Sequence, residues 1–218
     1  MKTIYFLIAC AVALLSCGKD KPYEFVEMKF ELPATMTPIG DTINLGDTLL
    51  FAMNFSDTLK DAASGNSYKI KNFPFYLFLS ASKLVDPSKA FNFQELATHR
   101  FTYTSIIGNF VNTGTVSTGF SLTYSSDTYK AVCKIKPTER GIYSFNIVYK
   151  KPTDTGIPDS ILTLPPAPNG KKQIPFLIFP VFIFNNGNNN FNLLQRNVSD
   201  IAIGKSFEYR GYYTFVVR

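Results

Sequence analysis

The sequence between Phe25 and Leu32 is FVEMKFEL, and the rest of the chain repeats its pattern. The even-numbered residues of this stretch are apolar, whereas residues 27, 29 and 31 carry charge. Successive side chains of a β-strand point to opposite faces, so a period of two residues predicts a strand with one buried face.

The same alternation recurs between turn-forming residues such as Gly46-Asp47. Each apolar series predicts a further strand. The strong series are Leu49–Phe55, Phe75–Ala81, Tyr129–Ile135, Tyr143–Tyr149 and Tyr213–Val217, and weaker ones lie at His99–Thr104 and Phe120–Tyr124.

Many short strands separated by Gly, Pro, Asn and Asp predict an all-β fold. We expect an antiparallel β-sandwich of the immunoglobulin-like kind, because the 21 phenylalanines can fill two facing sheets. A β-barrel or two small β modules are the alternatives. No long stretch keeps a helical period, although residues 192–199 allow a short helix or turn.

Three stretches break the alternation. Residues 151–170 contain five prolines, which predict a surface excursion or a boundary between modules. Residues 174–184 are apolar but contain two prolines. They predict either a pair of short strands or an exposed ridge that contacts a partner through Phe179 and Phe182. The asparagine-rich residues 185–192 predict a solvent loop.

The N-terminus has the layout of an export signal. Lys2 precedes an apolar run from Ile4 to Leu15, which is too short for a stable membrane span. The run ends in Leu14-Leu15-Ser16-Cys17, which resembles the bacterial lipobox. We therefore expect cleavage after Ser16 and lipidation of Cys17, whose acyl chains would hold the protein on a membrane.

These features divide the chain into a signal peptide (1–16), a lipidated N-terminus and tether (17–23) and a β-sandwich domain (24–218) with the excursion at 151–170. After processing, Cys133 is the one remaining thiol. Cys133 cannot form an internal disulfide. Its place in an alternating series predicts that it is a small buried residue.

The composition argues against several kinds of function. The formal charge of +6 includes no basic run, so nucleic acid is not an expected partner. A single histidine, His99, and one thiol are too few for a zinc site or a catalytic triad, and no motif indicates a cofactor. We expect no enzyme activity. The remaining catalytic alternative is a glycan hydrolase with two carboxylates, and the candidates are Glu95, Asp127, Glu139 and Glu208.

Carbohydrate binding is also an open interpretation. Aromatic faces beside amide groups are typical of sugar sites. The asparagine-rich stretch supplies amides, and the candidate aromatic residues are Tyr103, Tyr124, Tyr209, Tyr212 and Tyr213.

The lipobox, a short charged tether and a phenylalanine-rich β domain together resemble the small outer-membrane lipoproteins of Bacteroidota-type bacteria. The resemblance rests on residues 1–21. It implies attachment to the outer membrane, and Lys19-Asp20 is similar to signals that direct such proteins to the cell surface. The resemblance indicates no specific functional family.

The same resemblance implies O-glycosylation where Asp precedes Ser or Thr and an aliphatic residue follows. Four sites match this pattern, with acceptor residues Thr42, Thr48, Thr58 and Ser160. Turn formation by Asp-Thr and Asp-Ser pairs is the alternative explanation.

The leading functional hypothesis is a lipid-anchored, non-enzymatic binding protein of the cell envelope whose ligand is a glycan or a partner protein. The candidate contact residues are Tyr212, Tyr213, Phe179 and Phe182. An accessory subunit of an outer-membrane complex is the alternative, and a hydrolase is the third hypothesis.

Overall fold

The computed structural model describes residues 23–84, 94–112, 117–150, 157, 161–177, 180–190, 192–193 and 211–218. Their regular structure is almost entirely β-strand. The strands are β1 (Tyr23–Met28), β2 (Glu31–Thr37), β3 (Thr42–Ile43), β4 (Leu49–Ser56), β5 (Thr58–Lys60), β6 (Ser67–Lys69), β7 (Leu77–Leu84), β8 (Gln94–Leu96), β9 (Phe101–Ile107), β10 (Asn109–Asn112), β11 (Thr118–Ser121), β12 (Thr123–Ser125), β13 (Thr128–Pro137), β14 (Gly141–Tyr149), β15 (Lys172–Leu177), β16 (Val181–Phe184) and β17 (Tyr212–Val217).

Two open sheets contain most of these strands. The first sheet has the order β10-β11-β7-β14-β17-β3, with β8 also paired to β7. The second has the order β12-β13-β4-β2-β16, with β9 also paired to β13. Among the described strands, the pairs are antiparallel except for β1/β15, β2/β16 and β3/β17. The predicted all-β sandwich is confirmed.

Aromatic side chains fill the space between the sheets. Phe101 on β9 lies 4.9 Å from Tyr143 and 5.0 Å from Phe145 on β14, measured between ring centroids. Phe51 on β4 lies 5.5 Å from Phe120 on β11. These residues are buried, and each of the five strong alternating series places its apolar residues on the buried face, as predicted. Such aromatic pairs add about 0.5–1.5 kcal/mol each beyond apolar burial.

A hairpin crosses from one sheet to the other. β9 belongs to the second sheet and continues past Gly108 as β10 of the first, whereas β11 of the first continues past Leu122 as β12 of the second. The strand predicted at Phe120–Tyr124 is therefore divided between the sheets. The strand predicted from His99 begins at Phe101, because His99 lies in a 3-10 turn.

The apolar residues 174–184 pair with the N-terminal stretch. β15 runs parallel to β1, and β16 runs parallel to β2. Phe182 and Phe184 on β16 are buried, with exposed fractions of 5% and 0%. The prediction of a pair of strands is confirmed. Phe182 faces the core, and Phe179 lies outside the described residues.

The described part of the proline-rich region packs against the core. Ile157, Leu162 and Leu164 are buried in the main hydrophobic cluster. The Ile157 backbone N–H donates to the Pro175 carbonyl at 2.7 Å. These apolar residues connect the region to the same core as the two sheets.

The asparagine-rich stretch is not a simple solvent loop. Asn185 extends the β16 ladder with its side chain, because its Oδ1 accepts from the Met36 N–H at 2.9 Å and its Nδ2 donates to the Met36 carbonyl at 3.2 Å. Asn190 Nδ2 donates to the carbonyls of Gly40 at 3.3 Å and Thr214 at 3.0 Å. The solvent-loop prediction is wrong for these residues, since their amides replace backbone hydrogen-bond partners.

The change of sheet at Gly108 requires glycine. Its φ is +79°, and a Cβ atom there would lie 2.4 Å from the Ser121 carbonyl oxygen. We expect Gly108→Ala to lower the free energy of unfolding by more than about 2 kcal/mol, because a left-handed conformation alone costs roughly 1–2 kcal/mol.

Gly65→Ala is the matched control for Gly108→Ala. Gly65 has a φ of +75°, but apart from its chain neighbours no atom of the described residues lies within 4 Å of the point that a Cβ atom would occupy. Gly65→Ala should therefore lower the free energy of unfolding only by the cost of the left-handed conformation. Urea unfolding of both variants measures the difference, and equal losses would contradict a steric role for the Ser121 carbonyl.

Candidate functional site

An apolar row crosses the outer face of the first sheet. The strand register aligns Val111 on β10 with Gly119 on β11, Gly119 with Phe78 on β7, and Phe78 with Val148 on β14. The neighbours along the strands whose side chains the structure describes lie in the core or pack against it, so these four residues point away from it. At about 4.8 Å between strands, the row is roughly 14 Å long.

Three apolar side chains in or beside this row are strongly exposed. Val111 and Val148 are 52% and 44% exposed, and Tyr76, just before β7, is 52% exposed. We name Tyr76, Phe78, Val111, Gly119 and Val148 the exposed apolar face. Several apolar residues thus meet on a surface where alternation would place polar ones.

A shallow groove lies within the exposed apolar face. It has a volume of about 220 Å³, and its wall includes Tyr76, Phe78, Val111 and Gly119, with Asn109 and Ser121 supplying polar groups. Gly119 has no side chain, so it leaves a gap between Val111 and Phe78. Lys150 lies next to Tyr76 and donates its backbone N–H to the Tyr76 carbonyl at 2.9 Å. The groove is therefore shaped to accept an apolar group of a partner.

The sequence analysis did not select these residues, although short runs of consecutive apolar residues indicated them. Phe78 lies between Leu77 and Leu79, and Val148 lies between Ile147 and Tyr149. At these positions both strands are therefore apolar on both faces. Such runs are typical of strands covered on both sides.

The structure separates the two adjacent tyrosines that were predicted to bind a ligand. Tyr213 is 0% exposed, and its Oη lies 2.9 Å from both the Pro38 and Gly40 carbonyl oxygens. Burial raises its pKa to about 12. Tyr212 is half-buried on the opposite face of β17. A direct ligand contact through Tyr213 has no geometric support, because its ring has no exposed face.

The other candidate tyrosines have structural partners. Tyr124 Oη donates to the Asp57 carboxylate at 2.8 Å, and burial together with this carboxylate raises the pKa of Tyr124. Burial also raises the pKa of Tyr103, which packs against the core. Tyr209 lies outside the described residues. Tyr103 and Tyr124 therefore contribute to packing and loop attachment.

Two candidate carboxylates meet at one arginine. Arg100 Nη2 lies 2.6 Å from Glu95 Oε1, and Arg100 Nη1 lies 2.5 Å from Glu139 Oε1. Lys83 also binds Glu139. The hydrogen bond from Lys83 and the charge of Arg100 lower the Glu139 pKa. This arrangement does not favour a general acid, which needs a raised carboxyl pKa.

The third described candidate carboxylate lies in a separate cluster. Asp127 Oδ2 binds Lys69 Nζ at 2.8 Å, and this hydrogen bond lowers the Asp127 pKa. The neighbouring Asp57 is buried and accepts from Tyr124. Glu208 lies outside the described residues. The three described candidates are therefore each ion-paired with basic side chains, in two separate clusters.

Among the Asp-Thr pairs, one aspartate makes a turn contact and some of the threonines are exposed to solvent. Asp47 Oδ2 accepts from the Asn44 backbone N–H at 2.8 Å, which is a turn contact. Thr48 and Thr58 are exposed, and Thr42 is partly buried. Ser160 lies outside the described residues. O-glycosylation of all four stays a prediction.

The remaining chemistry-bearing residues form no metal site in the described ranges. No three His, Cys, Asp or Glu side chains cluster there. Cys133 is buried, as predicted, and burial raises its pKa to about 11. Within the same ranges, no helix has the length and apolar character that crossing a membrane requires.

Comparisons with known proteins give limited information. No protein-family model matches the chain, and no curated protein matches it. The human F-spondin reeler domain (fragment 1) aligns at 12% identity with a TM-score of 0.30, covering 75% of this chain and 94% of that domain. A type II cohesin domain from the cellulosome of Acetivibrio cellulolyticus aligns at 15% identity with a TM-score of 0.28, covering 70% and 93%.

The Glu139 ion pairs predict a specific pH dependence of stability. A carboxyl group with a lowered pKa in the folded state stabilises the fold above its ordinary pKa of about 4.5, and this contribution is lost as the pH falls below it. Glu139→Gln should therefore flatten the decrease in unfolding free energy between neutral and acidic pH. Lys83→Met removes a partner and should flatten it as well. Parallel urea-unfolding profiles for Glu139→Gln and the wild type would contradict this role.

Proposed function

We propose that the chain is a lipid-anchored binding protein of the cell envelope that contacts a partner protein through the exposed apolar face. One observation carries the proposal: four neighbouring strands align Val111, Gly119, Phe78 and Val148 on the outer surface of the first sheet. Contiguous exposed apolar surface of this kind marks interaction sites, whereas single exposed apolar residues are common.

Folding does not require these outward side chains to be apolar. The core between the sheets is filled by their neighbours Leu77, Leu79, Ile147 and Tyr149, which are buried. Polar residues at positions 78 and 148 would satisfy the same strand pairing and would lower the tendency to aggregate. A partner that covers the face would bury these apolar side chains, and their burial would contribute favourably to the free energy of binding.

The edge of the first sheet offers a second kind of contact. β10 is the terminal strand in the order of the first sheet, and no other described strand pairs with its outer edge. Val111 lies on this strand, so the exposed apolar face reaches the edge. A partner strand can hydrogen-bond to β10 while its side chains enter the groove beside Gly119.

The envelope location is supported by the sequence at the N-terminus. The lipobox Leu14–Cys17 is followed by the short predicted tether, and the first described strand, β1, already begins at Tyr23, the last residue assigned to that tether. The resemblance to Bacteroidota-type lipoproteins supports the outer membrane, with display on the cell surface as part of the proposal. Lipid attachment would keep the domain near membrane partners without a spanning segment.

The geometry favours the binding role over the two alternatives. An accessory subunit that uses Phe182 would need that side chain exposed, and it is 5% exposed. A subunit role through the exposed apolar face is consistent with the proposal. The hydrolase is not favoured, because Glu95 and Glu139 are both ion-paired with Arg100.

Photo-crosslinking in intact cells tests the partner contact. p-Benzoylphenylalanine in place of Tyr76 should capture a specific envelope protein. The same group in place of Ile106, which is 51% exposed on β9 of the second sheet, is the control and should not capture it. Val111→Lys or Val148→Glu should reduce recovery at least about tenfold, because a charge buried in an apolar interface costs more than the roughly 1.4 kcal/mol that a tenfold change represents. Equal capture from both positions would contradict the assignment of this face.

Replacement of the lipidated residue tests the location. Cys17→Ser should abolish incorporation of radioactive palmitate and release the protein from the membrane fraction, because position 17 then has no thiol to accept the diacylglyceryl group. Cys133→Ser retains Cys17 and is the control that should still be labelled. Unchanged labelling of Cys17→Ser would overturn the anchor.

A further inference from the structure

A polar cavity lies beside the asparagine-rich stretch, and it shares no lining residue with the exposed apolar face. It has a volume of about 420 Å³. We name its lining residues the asparagine cradle: Asp41, Gly187, Asn188, Asn189, Asn190, Asn192 and Leu193. Sites for small ligands commonly have volumes of about 300–1,000 Å³. We infer that the asparagine cradle binds a neutral polyhydroxylated ligand, with a short saccharide as the chemical class.

The walls of the cradle are held by hydrogen bonds to the core strands. Asn190 Nδ2 donates to the carbonyls of Gly40 and Thr214. The Thr214 N–H donates to the Asn189 carbonyl at 3.1 Å, and the Val216 N–H donates to the Asp41 carbonyl at 2.7 Å. β17 therefore connects the two chain segments that face each other across the cavity. Such a preformed wall loses less conformational entropy when a ligand binds.

The buried hydroxyl group of Tyr213 also holds the wall of the cradle in place. Tyr213 Oη lies 2.9 Å from the Pro38 and Gly40 carbonyl oxygens, and Gly40 also accepts from Asn190. The Tyr213 ring is fully buried between the sheets. The position of Asp41 is thus fixed relative to the core through its neighbour Gly40.

The chemistry of the lining residues matches hydroxyl groups. Each asparagine amide has one acceptor oxygen and two N–H donors, so it can accept from one sugar hydroxyl and donate to the next. The Asn188 and Asn192 side chains are exposed, and neither has a hydrogen-bond partner among the described residues. They are free to make such contacts.

The charge of the cradle narrows the ligand class. Asp41 is the one charged residue among the described lining residues. No lysine or arginine in the described ranges lines the cavity to pair with a carboxylate, sulfate or phosphate, so an anionic ligand would be repelled. One carboxylate is also a poor site for calcium, which takes six to eight oxygen ligands. Neutral hydroxyl groups avoid both difficulties.

Isothermal titration of the mature lipid-free chain tests the inference. The probes are maltose, cellobiose, lactose and mannobiose, with glucuronic acid and calcium chloride as separate arms. At least one neutral disaccharide should bind, and Asn188→Ala with Asn192→Ala should weaken its binding about tenfold or more, because the amide hydrogen bonds to the sugar are lost.

Two control variants make the result specific. Asn54→Ala changes an exposed asparagine on β4 of the second sheet and should leave binding unchanged. Asp41→Asn replaces the carboxylate with a neutral amide of nearly the same shape, so a neutral sugar should bind the variant almost as well as the wild type. Thermal unfolding checks that each variant is folded, and Asn192→Leu alone replaces the double variant if that one unfolds.

The outcomes separate this inference from the proposed function. Failure of every neutral disaccharide to bind, binding that persists in the double variant, or binding of calcium or glucuronic acid alone would overturn it. Val111→Lys changes the exposed apolar face and should not affect sugar binding. Loss of partner capture with intact sugar binding, or the reverse, therefore identifies which of the two proposals fails.

Discussion

The packing of aromatic rings between two open sheets is the constraint on which the rest of the structure depends. Phe101 on the second sheet contacts Tyr143 and Phe145 on the first, and Phe51 makes the equivalent contact with Phe120. These rings fix the register, because a slip of one residue would move a whole aromatic series to the outer face. The turn at Gly108 follows from the same requirement, since it lets the chain pass from β9 in the second sheet to β10 in the first.

Every second residue of these strands lies in the core. Packing of the core therefore does not explain which residues lie on the outer faces of the sheets. On most strands these are polar, as Glu27, Lys29 and Glu31 show at the N-terminus. On β7 and β14 they include Phe78 and Val148, which no part of the described structure buries completely. Apolar surface that the core does not use favours aggregation unless another surface covers it. This imbalance between the two faces is the physical basis for the binding role that we propose.

Local alternation predicted the strands well, because burial of one face follows directly from a period of two. It failed where strand boundaries and strand pairing depend on residues far apart in the sequence. Residues 120 and 124 alternate perfectly, yet Leu122 between them is where the chain changes sheets. The parallel pairing of β1 with β15 joins residues far apart in sequence, and no turn signal indicates it. Tyr213 was selected as a binding residue although its own series with Phe215 and Val217 predicted an inward position. The alternation was the better guide.

The asparagine-rich stretch shows why composition alone misjudged one segment. Asparagine is common in solvent loops, but its amide also reproduces the donor and acceptor of a peptide group. Asn185 uses both atoms to continue the pairing of β2 at Met36, and Asn190 joins Gly40 to Thr214. Asn185, Asn186 and Asn190 also adopt positive φ, which asparagine tolerates better than most residues. The stretch can therefore turn sharply while it stays attached to both sheets. Amides that are not used for this attachment, at positions 188 and 192, then face a cavity whose shape the core strands already hold.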